Sequence, residues 1–186
     1  MVSIALSPKE SHDHLRRIGR IVSVGSLVCA AAIVIGIATA WSNDQLIQRW
    51  IAWPGPLGIK PITVNFSTRV VGALLSLIGA APFLYALVQL SRLFSAFTQG
   101  IVFEIENTAR IRNIGLALLA RVALSPIIQV LTTLALTINN PPNARMIGIE
   151  LEVNQFATVL GGLALIAFAS VMREAVRLSR ENREFV

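Results

Sequence analysis

Four long apolar stretches divide this chain, and nearly all of its arginines lie between them. The stretches cover residues 21–41, 70–90, 115–138 and 156–172. A helix needs about 20 apolar residues to cross a hydrocarbon core of about 30 Å, and each stretch is close to that length. We therefore predict an all-α fold, a four-helix transmembrane bundle made of two helix hairpins.

The composition agrees with a membrane protein. Hydrophobic residues make up 54% of the chain, charged residues only 14%, and the mean hydropathy is +0.68. Soluble domains carry about 25% charged residues. Four spans and their connections use nearly all 186 residues, so we predict one membrane domain over 1–186 and no separate soluble domain.

The charge distribution predicts the orientation and the class of partner. The formal net charge is +6, from 16 Lys and Arg against 10 Asp and Glu. Eleven of the 16 cations fall in the two tails and the central connection, and cytoplasmic segments carry such an excess. Both termini are therefore expected in the cytoplasm. The cations flank apolar spans, which favours contact with the lipid bilayer over direct nucleic acid binding.

One alternative concerns the first span. Ala38-Thr39-Ala40 resembles a signal-peptidase site behind a basic start and an apolar run. That run, 21–37, is longer than the 7–15 residues usual for a signal peptide, and twenty residues precede it. We expect a retained membrane anchor, and N-terminal sequencing of the mature protein would decide.

The sequence offers little for catalysis or metal binding. Cys29 is the single cysteine, which excludes an intrachain disulfide and a cysteine-based metal cluster. His12 and His14 lie two apart, so they do not share a helix face, and no third ligand is near. No HExxH sequence, phosphate loop or catalytic triad pattern is present. We predict a protein that is not an enzyme and has no cofactor and no metal.

Small residues recur at four-residue spacing in three spans. Such residues let helix backbones approach each other in lipid. They predict close packing without naming the pairs: Gly72, Ser76 and Ala80; Ala32, Gly36 and Ala40; Ala157 and Gly161.

The inner connection, 91–113, is the most patterned polar segment. Leu93, Phe94 and Phe97 predict that the second helix continues as an amphipathic segment. Gly100 is typical of a helix C-terminus, and Glu104 of the next helix start. A solvated elbow is one interpretation, and a docking surface for a cytoplasmic partner is the other. The candidate docking residues are Gly100, Phe103, Glu104, Glu106, Asn107, Arg110 and Arg112.

A second candidate site lies inside the membrane. Arg121 is the one ionisable side chain well inside a span, and such a charge is costly. Ser125 and Gln129 share its helix face, and Gln89 lies at a similar depth. Arg121 either snorkels to the interface or joins these residues in a solute or ion path. The second reading makes the chain a transporter or channel subunit, and a homo-oligomer is then expected because four spans leave little room for a lumen.

Two stretches resemble a bacterial four-helix membrane family classed as a domain of unknown function. The first matches a Gly-x-x-Phe, a following Asn and an Arg-x-Ile-Gly, at Gly100, Phe103, Asn107, Arg112, Ile114 and Gly115. The second is the tail, with Met172-Arg173-Glu174-Ala175, Leu178, Glu181 and Phe185-Val186. The family commonly has Ser or Thr after the Phe, whereas this chain has Glu104.

The resemblance implies a multi-pass protein of the bacterial cytoplasmic (inner) membrane, without known chemistry. Members are often encoded beside a small helix-turn-helix regulator, which makes such a regulator a candidate partner. We expect a non-enzymatic membrane protein that docks or regulates a cytoplasmic partner, with a transporter or channel subunit as the alternative.

Overall fold

A computed structural model describes residues 8–48, 64–101, 104–145, 147–151 and 153–184. It contains four long helices: α1 (Pro8–Ser42), α2 (Phe66–Thr98), α3 (Ile105–Thr137) and α4 (Val153–Glu184). Short helical turns follow α1 and precede α4, at Asp44–Leu46 and Pro142–Ala144. All four long helices have the length and apolarity to cross a membrane, which confirms the predicted all-α membrane fold.

The helices are longer than the predicted spans, and nearly all of the surplus lies at one end. A 33-residue helix is about 50 Å long, against a hydrocarbon core of about 30 Å. The extensions are 8–20 of α1, 91–98 of α2, 105–114 of α3 and 173–184 of α4. We call this the elbow end, because the chain turns there from α2 into α3, and the opposite end the loop end.

Polar side chains sustain these extensions where hydropathy falls. In α4, Arg177 lies 2.6 Å from a carboxylate oxygen of Glu174 and 3.9 Å from one of Glu181. Pairs three and four residues apart on a helix stabilise it by a few tenths of a kcal/mol, about 0.2–0.5 each. Both pairs have the three- or four-residue spacing that brings side chains together on one helix face.

Each long helix packs antiparallel on the next one in the chain. Extensive contacts join α1 to α2, α2 to α3 and α3 to α4, and no other pair of long helices in the described ranges packs extensively. The bundle is therefore an open row with α1 and α4 at its edges. Large apolar side chains of α1, such as Ile21, Val28 and Ile35, are exposed and face the surroundings of the row.

A tryptophan joins α1 to α2 at the loop end. Trp41 is buried, and its indole ring lies so close to Gly72 that a Cβ placed there would collide with it. The indole Nε1 donates a hydrogen bond to Ser76 Oγ at 2.9 Å. Arg69 adds a hydrogen bond to the Trp41 carbonyl at 3.0 Å and an ion pair with Asp44 at 2.6 Å. Two of the predicted small residues, Gly72 and Ser76, thus form the surface of α2 on which this ring packs.

A second core lies toward the elbow end and joins α2, α3 and α4. Phe94 and Phe97, which the sequence places on an amphipathic face, meet edge to face with ring centroids 5.5 Å apart. Both pack against a buried apolar cluster contributed by the three helices, consisting of Ala86, Leu93, Ile111, Ile114, Ala117 and Ala169.

Two glycines let the backbones of α3 and α4 approach closely. A Cβ on Gly115 would lie 2.6 Å from the carbonyl oxygen of Gly162, and one on Gly162 would lie 3.0 Å from that of Gly115. Gly161, which the four-residue spacing selects, has nothing within 4 Å of such a Cβ. The contact glycine of α4 is therefore the next residue, and small-residue spacing alone does not identify it.

Gly115→Ala should lower the free energy of unfolding by about 1–3 kcal/mol, because the added methyl meets backbone that cannot move without separating α3 from α4. The measurement is a denaturation titration in mixed detergent micelles. Gly161→Ala is the matched control and should stay within about 0.5 kcal/mol of the unsubstituted protein. Equal losses in both variants would contradict the packing described here.

Candidate functional site

The turn at the elbow end begins with a left-handed glycine. Gly100 has φ +79°, a conformation that L side chains rarely adopt. Its N–H donates to the carbonyl of Phe97, and the N–H of Ile101 donates to that of Ala96, each at 3.1 Å. This bond pair closes a helix C-terminus, and it confirms Gly100 as the stop of α2.

A buried asparagine connects that turn to α3. The side chain of Asn107 is 1% exposed, and its Nδ2 donates to the carbonyl of Ile101 at 2.8 Å. Its Oδ1 accepts from Arg110 Nη1 at 2.9 Å. Glu104, at the N-terminal cap position of α3, makes no side-chain capping bond. The start of α3 therefore depends on Asn107, a structural role that the sequence pattern does not reveal.

Arg110 connects the first turns of α3 back to α2. Its Nη1 also donates to the carbonyl of Arg92 at 3.4 Å, and its Nη2 lies 3.4 Å from a carboxylate oxygen of Glu106. The pair with Glu106 is long and its carboxylate is 77% exposed, so it adds little stability. The chief effect of Arg110 is to hold α3 against the last turns of α2.

The predicted docking residues therefore divide into two groups. Gly100, Asn107 and Arg110 build the turn. Glu104, Glu106 and Arg112 are exposed on it. Phe103 lies outside the described residues. The exposed group is the part of the elbow that a partner could touch.

A cleft of about 470 Å³ opens beside the elbow, between α1, α2 and the first turns of α3. Charged and hydroxyl side chains line much of it: Ser23, Ser91, Arg92, Glu104, Glu106 and Arg110. A hydrogen bond of 3.0 Å between the hydroxyls of Ser23 and Ser91 joins α1 to α2 at its floor. Exposed arginines of α1, Arg16, Arg17 and Arg20, line a second cleft at the same end.

Inside the membrane, Arg121 lies on the surface of α3 against an aromatic ring. Its guanidinium carbon is 4.8 Å from the ring centroid of Phe83 in α2, which is a cation–π contact. The residue is exposed, and no hydrogen bond or ion pair joins it to Gln89 in the described part of the chain.

Ser125 and Gln129 form hydrogen bonds with the segment before α4 and with the first turn of that helix. Gln129 exchanges two hydrogen bonds with the backbone of Glu150, one of 3.1 Å to its carbonyl and one of 2.7 Å from its N–H. Gln129 Nε2 also donates to Ser125 Oγ at 3.2 Å, and Gln155 Nε2 donates to the same oxygen at 3.3 Å. Gln155 is a member of this cluster that sequence reasoning missed; its only signal was a polar residue at the start of a span.

Gln89 faces a different direction. It is buried on α2 and lines an apolar groove shared with Ala30, Ala31 and Val34 of α1. Six residues separate it from Phe83, so at about 100° per residue the two side chains point about 120° apart. The structure brings Arg121, Ser125 and Gln129 onto one stripe of α3 and leaves Gln89 out of it.

Asn107→Ala should lower the free energy of unfolding by about 1–3 kcal/mol, because it removes a buried amide that bonds the Ile101 carbonyl and accepts from Arg110. Hydrogen exchange at Gly100 and Ile101 should accelerate with it. Asn154→Ala, at an exposed position in α4, is the control. Unchanged exchange in Asn107→Ala would show that the turn holds without this side chain.

Arg121→Leu should insert normally and equal or exceed the unsubstituted protein in stability. A charged side chain in a span costs up to about 2.5–3.5 kcal/mol on an insertion scale. The cation–π contact with Phe83 offsets about 0.5–2 kcal/mol of that cost. Phe83→Leu removes the contact but keeps the charge, so it should be the less stable variant in the same unfolding titration. The reverse order would mean that Arg121 is structurally required.

Comparison with known proteins places the chain in a family. The model of the family described as "Protein of unknown function (DUF2975)" matches residues 9–186. No curated protein and no solved structure matches this chain. Since the match covers nearly the whole length, the resemblance at the elbow and in the tail is confirmed, and the chain belongs to this family of proteins of unknown function, DUF2975.

Proposed function

We propose that this protein is a non-enzymatic membrane protein whose elbow end docks, and thereby regulates, a cytoplasmic protein. The observation that carries the proposal is the one-sided surplus of helix. All four long helices run past their apolar spans at the elbow end, whereas at the loop end their bounds agree with those spans within four residues.

The surface of these extensions suits a protein partner. It presents charges of both signs, including Glu106 and Arg112 on the elbow and Glu174 and Arg177 on α4. A purely cationic surface would match lipid head groups or nucleic acid alone. Interspersed charges beside exposed apolar residues such as Ile105 resemble the polar rim of protein interfaces.

The kind of partner that we propose comes from the family resemblance. A small helix-turn-helix regulator held at the membrane would be kept from its DNA, so docking by itself would be a regulatory act. The cationic excess at the elbow end supports a cytoplasmic position for this surface.

Transport, the alternative from the sequence, receives less support. It requires Arg121, Ser125, Gln129 and Gln89 to face one path. Ser125 and Gln129 instead bond the backbone of Glu150 and the side chain of Gln155, and Gln89 lies on another face of α2.

Photo-crosslinking in native membranes tests the proposal. A crosslinker at Glu106 or Arg112 should capture a cytoplasmic protein, and one at Gln45, an exposed residue of the loop end, should not. The captured protein, once purified, should bind the full chain in nanodiscs and lose about tenfold in affinity with Arg112→Glu, equal to about 1.4 kcal/mol.

Capture with equal yield from both ends would contradict docking at the elbow. So would a purified partner that binds Arg112→Glu as tightly as the unsubstituted chain. Labelling of single cysteines at positions 106 and 45 from outside intact cells tests the orientation separately.

A further inference from the structure

We propose that the groove between α1 and α2 at the elbow end binds one zwitterionic aminophospholipid, with its phosphate at Arg92 and its primary ammonium at Glu104. This site goes beyond the proposed docking function: it shares Glu104 with the candidate docking residues, but Arg92, which would hold the phosphate, is not among them.

The acyl part of the site is an apolar groove. A cavity of about 600 Å³ runs between the two helices, lined by Ala30, Ala31 and Val34 of α1 and by Leu84 and Val88 of α2. The two alanines leave room between helices that pack closely elsewhere, at Trp41 and at Gly19. The groove lies within the apolar spans of both helices, where a hydrocarbon chain would fill it.

The groove continues into the polar cleft at the elbow. Arg92 lines both cavities, so one side chain marks their junction. On α1, Leu27 lines the polar cleft, while Ala30 and Ala31, three and four residues later on the same face, line the groove. The groove and the cleft together form one site that is apolar inside the membrane and polar where the spans end, which is the polarity profile of a phospholipid.

The charges of the cleft match a head group that carries both signs. Arg92 and Glu104 line it, and neither side chain forms an ion pair or hydrogen bond in the described part of the chain. Arg110 and Glu106, which also line it, pair with each other at 3.4 Å. One cation and one anion therefore remain for a ligand. A phosphate diester bonds the guanidinium, and a primary ammonium donates hydrogen bonds to the carboxylate.

Other common head groups fit this arrangement less well. Phosphatidylglycerol would offer no cation to Glu104. The quaternary ammonium of phosphatidylcholine has no N–H to donate. The net neutrality of the cleft, with two arginines and two glutamates, thus disfavours the anionic lipid, and the hydrogen bond to Glu104 selects the amino head group over choline.

Gln89 supplies a further polar contact at the depth expected for the ester groups. It is buried and one turn from Arg92, and it lines the apolar groove. Its carboxamide makes no hydrogen bond within the described residues, yet its polar atoms remain accessible from the groove. A polar group in an apolar site costs free energy unless it is bonded, and a lipid ester carbonyl would accept from it.

The test uses the full chain in nanodiscs with equimolar phosphatidylethanolamine, phosphatidylglycerol and phosphatidylcholine, read by native mass spectrometry. We expect one phosphatidylethanolamine per chain, at least about fivefold above either competitor. Arg92→Gln and Gln89→Leu should each cut its occupancy by about fivefold or more. Glu104→Gln should remove the preference over phosphatidylcholine. Arg112→Gln, an exposed arginine outside the cleft, is the matched control and should change nothing.

Several results would overturn the assignment. These are equal occupancy by all three lipids, a preference for phosphatidylglycerol, or displacement of the lipid by millimolar inorganic phosphate. Equal retention in Arg92→Gln and Arg112→Gln would also overturn it, with circular dichroism confirming that both variants are folded. Partner crosslinking at position 112 in the Arg92→Gln variant separates this site from docking, since the partner should still be captured there.

Discussion

Close backbone contact between helices is the interaction on which the rest of this structure depends. In lipid there is no hydrophobic force to press apolar helices together, so packing has to come from surfaces that fit. The row has such surfaces at several points, among them the indole of Trp41 on Gly72, Gly19 against the backbone of Phe94, and the backbone of Gly115 on that of Gly162. They join α1 to α2 and α3 to α4, and the buried apolar cluster around Leu93 and Ile111 joins α2 to α3.

The open row follows from this distribution of contacts. Fitted surfaces occur between chain neighbours, and α1 makes no extensive contact with α4 in the described residues, so the edge helices expose their apolar side chains. In water such exposure would be an aggregation hazard. In a bilayer it is the ordinary boundary with lipid, and it leaves grooves such as the one between α1 and α2 open to acyl chains.

Features that depend on local chemistry, such as spans and helix ends, could be predicted from the sequence. Features that depend on packing between helices could not. The lengths of the apolar stretches predicted the four spans. The end of α2 before Gly100 follows from the backbone freedom of glycine. The start of α3 after Glu104 follows from the preference of acidic residues for the N-terminal end of the helix dipole. Gly162 was missed because Gly161 has the better spacing, and only the rotation of α4 against α3 separates them. Asn107 was predicted to belong to a docking surface, whereas its side chain is buried and bonds the carbonyl of Ile101 and the guanidinium of Arg110.

The construction of the elbow bears on how it could act. Six residues, 99–104, separate the last residue of α2 from the first of α3, and their conformation is constrained at both ends. Gly100 sets the direction of the turn through its positive φ. The side chain of Asn107 donates to the Ile101 carbonyl, and that of Arg110 donates to the Arg92 carbonyl. The described residues of the turn are therefore held by backbone and buried side-chain hydrogen bonds. A backbone held in this way has less conformational entropy to lose on association, and the cost that remains is the ordering of the exposed Glu104, Glu106 and Arg112 side chains. The carbonyl that Arg110 bonds belongs to Arg92, whose side chain would hold the proposed lipid phosphate, so the proposed lipid site and the proposed docking surface adjoin at the elbow.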